Sequence, residues 1–217
     1  MAISESSSSG GSRGPSGAGG RARVYGPEMT PVQRRIMDAA VELFAERGFD
    51  ATSVQEVVSA AGLTKGALYH YYTSKSDLLH EIYHMLIRRQ LDGLDRILAR
   101  DLTPEETVRA LLLDLVETTA AFKRESTIYR REMHKLSPEY LESIAADRRR
   151  YHETFLALVE KEQRAGTFNT SVSAEIVTYT VFGMINQLTT WYRPEGPKTP
   201  ARIAAELADF TLQALRP

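Results

Sequence analysis

Residues 64–79 read TKGALYHYYTSKSDLL. Tyr69, His70, Tyr71 and Tyr72 put four rings in a row, Lys65 and Lys75 stand on either side, and no acid occurs between Thr64 and Ser76. Thr64 can cap a short helix starting at Lys65, and Ser74-Lys-Ser-Asp77 reads as a capping box, a hydroxyl answered three residues later by an acid. Just upstream, Ala-Gly-Leu at 61–63 makes a tight turn. Before it, Ser53-Val-Gln-Glu56 is another capping box, opening a helix with Val54, Val57, Val58 and Ala61 on one face. Two short helices joined by a glycine-bearing turn, over an apolar floor from a preceding helix, are a helix-turn-helix in outline.

In such a motif the second short helix enters the major groove of double-stranded DNA with its N-terminal residues toward base edges. Thr64, Lys65 and Gly66 occupy that end. Gly66 lets backbone come close, and Lys65 reaches a phosphate or a guanine edge. Tyr69 and His70 can bond phosphates, which positions without specifying sequence. Lys75 falls in the first turn of the next helix, where free N–H groups favour an anion. Leu68 and Tyr72 lie one turn apart and read as packing. The outline alone recurs in many helical proteins.

Working outward, residues 31–47 carry an N-cap at Thr30, Pro31 at the first helical position, and an apolar stripe of Ile36, Ala39, Ala40, Leu43 and Phe44, ending at Gly48. Ser74 opens a long fourth helix with Leu78, Leu79, Ile82 and Leu86 inward. The second half repeats this grammar: a helix from Thr103 to about Phe122, another over 125–136, one from Ser137 to about Arg164, one from Ser173 to Trp191, and a last one from Thr199. No segment alternates as a strand does, so the fold is expected to be all-α. Residues 1–30 are expected to form a flexible tail, since 1–20 hold seven Ser and six Gly; Arg21 and Arg23 follow and could sweep a phosphate backbone. With 42% apolar residues and 25% charged ones the 217-residue chain is ordinarily globular. It has no cysteine, so neither disulfides nor thiolate sites are expected. Neither a membrane span nor a secretory signal is evident, which makes the cytoplasm the expected compartment.

Residues 33–79 resemble the DNA-binding domain of the TetR family of bacterial transcriptional regulators. The likeness rests on AAVELFAERGF at 39–49, ATSV at 51–54, AAGLTKGALYHYY at 60–72 and SKSDLL at 74–79. It implies a three-helix DNA-binding domain at 31–77 and a six-helix effector-binding and dimerisation domain at 78–217. It also implies a homodimer on a pseudo-palindromic operator, released by a small molecule. By the same resemblance Ser53, Thr64, Lys65, Gly66, Tyr69, His70 and Lys75 lie at the DNA. The charge count runs against a simple basic footprint: residues 31–80 hold five Lys or Arg and six acids, with the acids mostly on the first helix and its exit. The basic patch is therefore local.

One motif points elsewhere. Residues 80–84 read HEIYH, the zinc-hydrolase pattern of two imidazoles one helical turn apart with a glutamate to activate water. A third ligand would have to come from Asp101, Glu105 or Glu106, and the helix already serves as the link between domains. A solvated or domain-interface face is the simpler reading, and no catalytic residue, metal or cofactor is expected. In the C-terminal half, WYRPEGPKTP at 191–200 resembles a TetR subgroup that senses acyl-CoA thioesters and controls fatty-acid or steroid breakdown. Candidate effector contacts, by type and placement, are Tyr129, Met133, Arg148, Tyr151, Phe155, Phe182 and Gln187. The triplet Arg148-Arg149-Arg150 steps about 100° per residue, so all three cannot face solvent.

Overall fold

The computed structural model describes residues 29–217; the expectations for residues 1–28, Arg21 and Arg23 included, lie outside them. Nine α-helices and no strand occur among the described residues. They are α1 (Pro31–Arg47), α2 (Val54–Ala60), α3 (Lys65–Tyr69), α4 (Lys75–Leu98), α5 (Pro104–Ala121), α6 (Lys123–Glu132), α7 (Pro138–Arg164), α8 (Ala174–Trp191) and α9 (Pro200–Leu215).

Every helix but α6 begins at a Ser or Thr whose hydroxyl accepts a first-turn N–H: Thr30, Ser53, Thr64, Ser74, Thr103, Ser137, Ser173 and Thr199. Such a cap contributes about 1 kcal/mol, and these residues fix the element boundaries. The exception is instructive. Phe122, with φ −104° and ψ 39°, ends α5 and starts α6 with no side-chain cap. A helix expected over 125–136 therefore begins at Lys123, stops at Glu132 and hands over to a 3₁₀ turn, Met133–Lys135. The buried Phe122 ring holds this corner, and no glycine, proline or hydroxyl marks it in sequence.

Helix α1 buries its expected stripe and also Met37 and Val41. The wider face follows from a second neighbour: α6 packs on α1 alongside α2 and α4. Helix α4 is a 24-residue strut that touches α1 near its start and α5, α6 and α7 further along. The expected division between residues 77 and 78 falls inside its first turn. Tyr83, fully buried, donates its hydroxyl to the Ile128 and Tyr129 carbonyls at 3.0 and 3.2 Å and so ties the middle of α4 to α6. Helix α5 runs through the C-terminal domain between α4, α8 and α9. Among the described residues no helix is long and apolar enough to cross a membrane.

Candidate functional site

The turn between α2 and α3 is built from the backbone outward. Gly62 takes φ 62°, a left-handed conformation at which glycine carries no side-chain penalty. This lets Leu63 N–H donate back to Val58 O at 2.8 Å. From α1, Arg35 Nη2 donates to Ala61 O at 2.6 Å and Gly62 O at 3.1 Å, satisfying carbonyls that the end of α2 leaves free. Thr64 then caps α3 by accepting from Ala67 N at 3.2 Å. On α3 itself Leu68 is fully buried, and Tyr72 just beyond is 6% exposed. Thr64, Lys65, Gly66, Tyr69 and His70 are all exposed, Tyr69 by 52%. The ring run therefore divides: Tyr72 packs inside, Tyr71 is half-buried against His70 at 4.7 Å, and Tyr69 and His70 face out. At Gly66 a Cβ would meet only Thr64 Oγ1, at 3.8 Å, so the protein's own packing does not demand glycine there.

Ser53 is exposed at the start of α2, but its hydroxyl is engaged: it accepts from Glu56 N at 3.2 Å and donates to Glu56 Oε2 at 2.8 Å. Lys75 departs from the expectation. Its ammonium donates to Phe49 O at 2.6 Å and Thr52 O at 2.8 Å, and lies 4.2 Å from the Phe49 ring centre. Burial pulls its pKa down, partly offset by the neighbouring Asp50. Two loop carbonyls between α1 and α2 have claimed the cation. The anion seat at the start of α4 is also filled, by Asp77. Burial works against that carboxylate, but hydrogen bonds from Thr73, Ser74 and Tyr140 outweigh it and bring its pKa down to about 2.

The Tyr140 contact crosses domains. Its hydroxyl, from the first turn of α7, donates to Asp77 Oδ1 at 3.0 Å, and its ring stacks on His80 at 3.9 Å. Lys135 forms a second tie, pairing with Asp50 at the α1–α2 corner and with buried Glu132 at 3.0 Å. The HEIYH imidazoles serve this packing: His80 and His84 stack with centroids 5.5 Å apart, and Glu81 is 4.0 Å from His84 Nδ1. Among the described residues no group of three or more His, Asp or Glu is arranged to hold a metal ion.

The seven expected effector contacts do not form one site. Tyr151 and Phe155 are buried on α7, and Phe182 of α8 meets them edge-on at 5.7 and 5.8 Å. Arg148 covers the Tyr129 ring at 5.0 Å, at the seam of α6 and α7. Met133 sits in the 3₁₀ turn, 36% exposed. Gln187 faces away, into an open groove of about 550 Å³ between α8 and α9 that Gly183, Trp191, Leu207 and Phe210 also line. Of the remaining triplet, Arg149 is exposed and Arg150 pairs with Asp95 of α4 at 2.7 Å.

Two family models match this chain. Residues 36–82 match "Bacterial regulatory proteins, tetR family", and residues 101–215 match "Tetracyclin repressor-like, C-terminal domain". The chain belongs to the TetR family. A TetR protein is a DNA-binding transcriptional regulator and not an enzyme, so the hydrolase alternative built on HEIYH falls away. Among relatives, the transcriptional repressor KstR2 of Rhodococcus jostii (strain RHA1) is 27% identical over 83% of this chain and 89% of its own. The uncharacterised regulator YdgC of Bacillus subtilis (strain 168) is 31% identical over 85% of this chain and 93% of its own. Among solved structures, AibR in complex with isovaleryl coenzyme A and operator DNA superposes with a TM-score of 0.72, at 25% identity, covering 82% of this chain and 96% of that one.

Sequence reasoning missed Lys135 and Tyr140, which tie the DNA-binding domain to the rest, and Arg35 and Tyr83, which brace elements within each domain. Each meets a partner far along the chain, so no local spacing announces it. Capping explains Asp77 from sequence; only the fold reveals that Tyr140 also depends on it.

Proposed function

We propose that this TetR protein is a repressor that holds a pseudo-palindromic operator as a homodimer through α3, and that an acyl-CoA thioester bound in the C-terminal domain releases it. The observation that carries the DNA half is the division of residues 64–72. Leu68 and Tyr72 anchor the segment, while Thr64, Lys65, Tyr69 and His70 stand out together around a glycine that the fold itself does not require. An exposed backbone beside a lysine and two ring-borne hydrogen-bonding groups suits a phosphate-lined groove. Ser53 belongs to this surface through its position at the start of α2. Lys75 acts from behind it, holding the α1–α2 loop.

The dimer is supported by the outer face of α8 and α9, where Trp191 and Phe210, each more than half exposed, line the open groove. An apolar face of that kind fits a symmetric mate. Gln187 then belongs to the subunit contact rather than to the effector. The thioester is supported by a relative solved with isovaleryl coenzyme A and by Arg148 at the α6–α7 seam, available to an anionic end. Tyr129, Tyr151, Phe155 and Phe182 supply the aromatic walls, with Met133 at the rim. The protein works in the cytoplasm, where operator and thioester meet. Titrating the protein–operator complex with a series of CoA thioesters and the matching free acids tests this reading. Release by thioesters is expected; release by free acids alone contradicts it.

A further inference from the structure

The turn ahead of α3 is gripped from α1. Arg35, on the exposed side of α1, donates through one nitrogen, Nη2, to Ala61 O at 2.6 Å and to Gly62 O at 3.1 Å. The guanidinium lies so close over the turn that a Cβ at Gly62 would stand 2.9 Å from that nitrogen. Gly62 is thus required twice, for its φ of 62° and for the room it leaves Arg35. The other bonds that shape the turn are local: Leu63 N–H donates to Val58 O at 2.8 Å, and Thr64 caps α3 at 3.2 Å. Neither reaches α1. Helix α3 itself has five residues and buries only Leu68. One buried side chain gives a short helix a pivot but no direction. At 1.5 Å of rise per residue, a tilt of about 15° about Leu68 moves the Lys65 end by about 1 Å. A hydrogen bond to a base edge tolerates a few tenths of an ångström. A charged donor makes a stronger bond than a neutral one, so Arg35 is suited to hold the turn against such a tilt.

We infer that Arg35 is a positioning residue for sequence recognition: through the Ala61 and Gly62 carbonyls it aims the N-terminal end of α3 at the base edges. The inference rests on the reading that α3 enters the major groove, and it assigns the aim of that helix to a side chain on another one. Phosphate attraction depends little on the direction of α3, whereas base contacts depend on it closely. Arg35 therefore governs the preference for one DNA sequence over another and leaves general DNA affinity alone.

The test compares two probes: a duplex that the parent protein selects from a random pool, and an unrelated duplex of the same length. Arg35→Met keeps the apolar arm and removes the donors. It should bind the selected duplex about a hundredfold more weakly, roughly tenfold for each half-site. On the unrelated duplex it should keep the parental affinity and the parental dependence on salt. Parental affinity for the selected duplex overturns the inference. A shallower salt slope means that Arg35 meets a phosphate itself, and an equal loss on both duplexes means that the fold has failed rather than the aim of α3; each of these overturns it too. Lys65→Ala, run alongside, separates the inference from the reading beneath it. If Lys65→Ala keeps the parental preference, α3 does not read the groove; if Lys65→Ala loses it and Arg35→Met keeps it, only the role of Arg35 falls. Should Arg35→Met melt too low to assay, Arg35→Lys retains the charge on an arm too short to span both carbonyls. Its preference should drop by roughly fivefold, the equivalent of one hydrogen bond, and an undiminished preference overturns the inference.

Discussion

Lys65 and Leu68 share a five-residue helix and have opposite tasks, the ammonium in solvent and the leucine fully buried. Leu68→Ala should therefore act through the fold, costing about 2–5 kcal/mol, read as a lower melting temperature. Lys65→Ala should leave melting unchanged and weaken operator binding, with the slope of log affinity against log salt shallower by about 0.9 per lost phosphate contact. Tyr69→Phe should weaken binding by about the 1 kcal/mol of a single hydrogen bond. Lys75→Met makes the contrasting case. It strips two loop carbonyls of their donor, so it should lower the melting temperature and leave the salt slope intact; a shallower slope with unchanged melting would return Lys75 to the DNA surface. The difference between these two lysines was not legible in sequence. Lys65 is read from its place beside a cap and a glycine, within one turn. Lys75 is decided by carbonyls 26 and 23 residues back along the chain, which no spacing rule reaches.

Helix α4 carries the chain from the DNA-binding domain into the effector domain, and its first turn is held by Asp77. Hydrogen bonds from Thr73, Ser74 and Tyr140 keep that carboxylate ionised down to about pH 2 against an ordinary 3.8. A carboxyl depressed on folding stabilises the folded state above its unfolded value and loses that contribution as pH falls through the folded one. Acid unfolding should thus steepen between about pH 4 and pH 2, and Asp77→Asn should flatten this part of the profile in a pH series of thermal melts. An unchanged acid limb would mean that Asp77 makes no net contribution. Tyr140→Phe removes only the bond that crosses domains. It should leave the capping box in place and raise the effector concentration needed to release operator, because one tie between α7 and the DNA-binding domain is gone. Release at the parental concentration would show that Tyr140 does not carry the signal. Eight of the nine helix starts were legible because a hydroxyl cap is a local signal. The start of α6 was not, because the Phe122 corner is held by tertiary burial of a ring.

At the scale of the whole molecule, the proposed homodimer would use two surfaces together, the exposed side of α3 and the apolar outer face of α8 and α9. The helices of the DNA-binding half were legible in sequence, because a helix-turn-helix is a local motif with a capping hydroxyl at each start. The effector half was legible as helices but not as a site. Tyr151, Phe155 and Phe182 come together, whereas Gln187, on the same helix as Phe182, turns to the outer groove; helical phase within a bundle is fixed by which neighbour each face meets. Phe210→Glu places a charge in that groove and should yield monomers by analytical ultracentrifugation at micromolar concentration, with weakened operator binding. A dimer unaffected by this change would place the subunit contact elsewhere. The most direct test of the central claim is a footprint of the protein on the DNA upstream of its own gene, run beside Lys65→Ala at matched concentration. The account predicts two protected half-sites related by a two-fold axis, with protection by Lys65→Ala lost at both. A single unsymmetrical footprint, or Lys65→Ala protecting as the parent does, would contradict it.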